Sequence, residues 1–147
     1  MRRGSMAAGM LVALLPGCGG DSVSAPPPPP APVTELIVQG SFSGVTPGGG
    51  VALAPFSTSR MGTLRITVDW TFASNNMDVA LVRAPCDPPQ FLALTCAIVG
   101  VSESPTAKPE ILTLPNTVSA TYRLFVSNRG TTDESISYRV ELTSTAP

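Results

Sequence analysis

Four oxygen-bearing side chains, Asp69, Asn75, Asn76 and Asp78, fall within one short stretch of this chain. Oxygen ligands gathered on a turn suit calcium. They suit plain turn chemistry equally, because Asn and Asp cap their own backbone and tolerate left-handed conformations. The turn reading is preferred here. Calcium is the one cofactor kept as an alternative, and no other metal or cofactor is expected. Asp133 and Glu134 read as a solvated turn.

Covalent catalysis finds little material. Serines are plentiful, but the chain has no histidine to activate one. That absence also removes the commonest zinc ligand, and three cysteines are too few for a Cys-rich metal centre. Lys108, the sole lysine, precedes Pro109 in a loop and is poorly placed to act as a desolvated base. A carboxylate pair could hydrolyse a glycoside, yet nothing singles out a pair. The chain is therefore read as not an enzyme. Trp70, Tyr122 and Tyr138 could form an aromatic platform for sugar or peptide, but their in-phase positions in alternating segments favour a core role.

The elements that must position these residues are strands. In Gly62–Trp70, Leu64, Ile66, Val68 and Trp70 alternate with Thr63, Arg65, Thr67 and Asp69, the period of a half-buried strand. After the polar turn 73–76 the alternation resumes with Met77, Val79 and Leu81. Further strands are expected near Thr34–Phe42, with Leu36, Val38 and Phe42 inward, and near Val51–Phe56. Phe91–Val99 is continuously apolar and reads as a strand buried on both faces. It follows a loop at 86–89 and precedes a polar loop at 100–110. A short strand at Ile111–Leu114 comes next. Ala120–Ser127 points Tyr122, Leu124 and Val126 one way and Arg123 and Phe125 the other. Ser135–Thr143 points Ile136, Tyr138, Val140 and Leu142 inward. About eight short strands without an amphipathic helix predict an all-β, two-sheet antiparallel β-sandwich over residues 34–147. The composition agrees: 13% charged residues, 13 glycines and 16 prolines describe a turn-rich chain.

The N-terminal segment carries a different message. Arg2 and Arg3 precede the apolar run Met6–Leu15, which is too short to span a bilayer as a helix, since that needs about twenty residues. Leu15-Pro16-Gly17-Cys18 follows. Residues 1–17 resemble the bacterial lipoprotein signal peptide, whose lipobox ends in cysteine. Leu15, Gly17 and Cys18 fit it, and Pro16 stands where a small residue is usual. The resemblance implies that Cys18 becomes the first mature residue and carries the lipid (palmitate among its acyl chains). The alternative is an ordinary secretory signal with an incidental cysteine. Gly19 after Cys18 leans towards the outer membrane. Residues 18–33 form a tether whose Pro26–Pro32 portion is a polyproline II spacer on the order of 20 Å long. Loss of Arg2 and Arg3 leaves 7 basic and 10 acidic side chains, a net charge of -3. No basic stripe exists for nucleic acid. In an exported protein Cys86 and Cys96 are expected to pair as a disulfide.

Three further segments resemble the bacterial pre-peptidase C-terminal domain, a jelly-roll-like β-sandwich: Asn76-Met77-Asp78-Val79-Ala80-Leu81, Tyr122-Arg123-Leu124-Phe125-Val126 and Ser137-Tyr138-Arg139-Val140-Glu141-Leu142. The likeness covers about residues 35–144 in the order those strands impose. That family's domains usually hang from a secreted hydrolase, which this chain lacks. Substrate or matrix binding and help with secretion are the roles the resemblance implies.

The expectation is a bacterial cell-envelope lipoprotein, anchored in the membrane through Cys18, whose sandwich is a binding or accessory module for a glycan or protein ligand. A structural scaffold without a small ligand is the alternative, and a hydrolase lacking histidine a more distant one.

Overall fold

The computed structural model describes residues 25–145 of the 147. Cys18, the signal segment and the first part of the tether lie outside the described residues. Eight strands and one short helix follow in order: β1 (Pro32–Val45), β2 (Gly50–Ser57), β3 (Gly62–Trp70), β4 (Met77–Arg83), α1 (Pro88–Leu92), β5 (Ile98–Ser102), β6 (Glu110–Thr117), β7 (Thr121–Asn128) and β8 (Glu134–Thr145).

They form two antiparallel four-stranded sheets, β1-β8-β3-β6 and β2-β7-β4-β5. Successive strands alternate between the sheets except at β4 and β5, which pair within one sheet, giving the strand order of an eight-stranded jelly-roll sandwich. The alternating residues decide what lies between the sheets. Leu64, Ile66, Val68, Val140 and Leu142 face Val79, Leu81, Leu124 and Val126, and all are buried in one cluster. Trp70 and Tyr122 belong to it, as their phase requires. The Tyr122 hydroxyl donates to Val118 O at 2.7 Å, so its polar end is satisfied within the core. Tyr138 packs at the margin, stacked on Phe42 with ring centroids 5.2 Å apart.

Several expectations are corrected. Leu36 is exposed, because the β1–β8 pairing shifts register between Leu36 and Val38. The extra residue, Ile37, reverses the alternation, so Leu36 falls opposite Glu141 on the outer face while Val38 and Phe42 stay against the core. Phe91–Val99 is not a buried strand. Asp87 caps α1 through a reciprocal box with Gln90, and Pro88 and Pro89 sit in its first turn. Pro88 and Pro89 are thus helical rather than loop. The strand begins at Ile98 and extends into the stretch read as loop.

Phe125 is also not on a wet face. It is fully buried in a second cluster with Ala80, Val82 and Cys86, beneath Phe91. Finally, Glu134 is buried rather than solvated. Its carboxylate accepts from the Thr71 and Phe72 N–H groups at 2.9 and 3.0 Å and from the Asn75 amide at 2.7 Å. It thereby satisfies the backbone of the β3–β4 turn from 60-odd residues away.

Candidate functional site

The outer face of the β1-β8-β3 sheet is polar by the same alternation that makes the inner face apolar. Cross-strand register sets the side chains in rows. Ser41, Ser137 and Asp69 form one, and Gln39, Arg139 and Thr67 the next. Ser43, Thr71 and Ser135 continue the surface towards the end of β3. Two depressions of about 440 and 380 Å³ lie along it and share Ser41, Asp69 and Ser137, so they read as one shallow groove. Gly40 leaves the space that the Tyr138 ring fills: a Cβ there would lie 2.6 Å from the Tyr138 hydroxyl.

The groove has a negative middle at Asp69 and a positive end at Arg139. Asp69 Oδ1 accepts from the Trp70 N–H at 2.9 Å and from the Lys108 ammonium. The Lys108 bond holds the Asp69 carboxyl below its ordinary pKa, against the opposing effect of burial, with the Trp70 N–H helping. Arg139 bonds Glu141 at 2.8 Å and Gln39 at 3.3 Å. Hydroxyls that both donate and accept, flanked by one carboxylate and one guanidinium, can hold a polar, hydroxyl-bearing ligand.

Lys108 is the groove's main brace. It donates to Asp69 and to Trp70 O, and its ammonium lies 4.9 Å from the Trp70 ring centroid. Trp70 Nε1 donates to Asn75 O at 3.2 Å. This clip ties the β5–β6 loop to the end of β3.

The four calcium candidates are dispersed. Asp69 ends β3 in one sheet, paired to Lys108, whereas Asp78 is in β4 of the other, paired to Arg129 at 2.6 Å. Asn75 donates to Thr132 O, Thr132 Oγ1 and Glu134, and accepts from the Thr131 N–H at 3.0 Å. Asn76 Oδ1 is buried without a hydrogen-bond partner. Asn75 thus braces the turn, and among the described residues no three His, Cys, Asp or Glu side chains gather as a metal cluster.

Cys86 and Cys96 form a disulfide, with Cα atoms 5.8 Å apart. It closes the loop that carries α1. Sequence reasoning missed the groove residues Ser41, Ser43, Ser135 and Ser137. Their alternation along each strand was readable, but the adjacency of β1, β8 and β3 was not.

No protein-family description matches the sequence, and no curated protein matches it. Solved structures do. The pre-peptidase C-terminal domain of a collagenase from Bacillus anthracis superposes with TM-score 0.53 at 14% identity, covering 71% of this chain and 89% of that one. The Yersinia pseudotuberculosis-derived mitogen gives TM-score 0.49 at 13% identity, covering 80% and 91%. At such identities the first likeness establishes the fold: a β-sandwich similar to a pre-peptidase C-terminal domain.

Proposed function

We propose that this protein is an exported lipoprotein of the bacterial cell envelope, anchored through Cys18, whose sandwich is a non-catalytic binding module. The groove on the β1-β8-β3 sheet takes the ligand, and its chemistry suits a glycan. The observation that carries the reading is the row of hydroxyls beside Asp69, whose carboxyl is held below its ordinary pKa. The tripartite N-terminal segment ending in Cys18 supports the anchor.

Two measurements test it. Intact mass and detergent partitioning of the full chain, with Cys18→Ala beside it, examine the anchor. Acyl mass and detergent entry in the wild type alone are expected. A glycan array, followed by titration of the Ser41→Val/Ser137→Val variant, examines the groove. Glycan binding lost in that variant is expected. A silent array combined with crosslinks to an envelope protein would favour the scaffold reading instead.

A further inference from the structure

The other outer face has a different character. On β4 and β5 it carries Ala80, Val82, Ile98 and Val101, and the disulfide-closed loop folds across it. Phe91 stacks on Phe125 with centroids 4.2 Å apart and planes 3° apart. Covering Phe125 turns the loop's own leucines outward: Leu92 is 64% exposed and Leu94 85%. Ile98 and Val101 beside them are about half exposed. A cavity of about 350 Å³ opens between loop and sheet, walled by Phe91, Leu94, Ile98 and Val101, with Glu103 and Arg129 also lining it. Between Asp87 and Glu103 the sequence has no charged side chain.

Leu94 stands out twice. Its φ is 56°, in the left-handed region. Its N–H bonds Phe91 O and the Thr95 N–H bonds Gln90 O, both at 3.0 Å, which is the Schellman closure of α1. Glycine is the ordinary residue at that position. Neither helix closure nor solubility favours a leucine there, and its side chain touches water instead of the core.

The geometry points to a lipid bilayer as the occupant: this loop and the adjoining edge of β5 dock on the membrane surface. Chain path and charge support that choice over a protein partner. Arg83 ends β4 at the pole where β2 hands over to β3, because Arg83 pairs with Tyr122 and Ser57 with Thr121. Pro32 enters β1 at the same pole, opposite Thr145. The loop therefore springs from the end of the sandwich at which the tether arrives. From Cys18 to Pro32 the chain can span at most roughly 50 Å, against about 30 Å for the length of β3. An anchored domain can thus lie on its flank. At the loop's base Arg83 is exposed and makes no ion pair among the described residues, and Arg123 donates to Cys86 O. Guanidinium groups behind an apolar tip match anionic headgroups.

The inference rests on the anchor for its orientation, so its test reads position 94 directly. Leu94→Trp is introduced into the full chain, which is mixed with phosphatidylethanolamine/phosphatidylglycerol vesicles containing brominated lipid. A blue-shifted emission that the bromines quench is expected, while the buried native Trp70 in the unsubstituted chain stays unquenched. Leu92→Asp/Leu94→Asp should lower the bound fraction of the Cys18→Ala chain. Unquenched emission from position 94 in vesicle-bound chain overturns the inference, as does crosslinking of that loop to an envelope protein in its place. A chain without acyl mass that is still quenched at position 94 would sink the anchor and keep the docking face. An acylated chain unquenched there would do the reverse.

Discussion

The two outer faces of this sandwich are made by the same strand alternation and end in opposite states. On the β1-β8-β3 sheet the outward positions are serines, threonines and a few charges, and water reaches them. On the β2-β7-β4 sheet they include Phe125, Ala80 and Val82, flanked by Asp78, Ser127 and Arg123, and a disulfide-closed loop covers the apolar three. β7 is consequently buried on both sides although only one side meets the other sheet. A strand face is wet or dry according to what crosses it, and here the crossing segment was itself built from the apolar run that reads as a strand.

Substitutions sharpen this contrast in a graded series. Phe125→Ala should cost about 3–4 kcal/mol in denaturant unfolding, since a buried ring stacked on Phe91 is lost. The same truncation at Thr67, on the wet face, should stay within about 0.5 kcal/mol. Equal losses at both positions would abolish the distinction between the faces.

Replacing Cys86 and Cys96 together by Ala should cost about 2–3 kcal/mol by the loop-closure argument. Limited proteolysis should then cut between residues 86 and 97 before any site on the groove face. Simultaneous cutting of both faces would deny the loop its independence.

Lys108→Met should lower stability by about 1 kcal/mol or less, because its partner Asp69 is 53% exposed and screened. The pH dependence has a definite sign. Asp69 has a folded pKa below its unfolded value. Its contribution is therefore complete above the ordinary carboxylate range and is lost as pH falls through the lower folded value. The wild-type and Lys108→Met melting temperatures should converge in acid. A gap that widens there would refute the ion pair as the cause.

Ser41→Val/Ser137→Val should leave the unfolding free energy within about 0.5 kcal/mol of wild type while removing ligand from the groove. Finally, calcium or a chelator should leave the melting temperature unmoved, because Asp69 and Asp78 lie in different sheets. A calcium-dependent rise would require the four oxygen side chains to be reconsidered.

Much of the fold is legible in local pattern. The alternation through Gly62–Leu81, 120–127 and 135–143 places most core residues correctly, and the turns that the sequence suggests at 46–50, 73–76 and 128–133 fall between strands to within one residue. The capping box of Asp87 and Gln90 was also local and readable, yet the apolar run behind it outweighed it. Other features had no local signal. The bulge at Ile37 depends on how β1 meets β8, and Glu134 finds its donors on a turn some 60 positions earlier in the chain.

The sequence by itself determined the two-sheet class, most of the inward residues, the disulfide and the lack of histidine chemistry. Each of these follows from neighbours along the chain or from composition. The tertiary structure alone decided which strands stand side by side, and hence that serines of β1 and β8 share a groove with Asp69. It also decided which outer face is dry. Strand adjacency and loop cover are set by contacts between distant segments, and periodicity reports only that a strand has two faces.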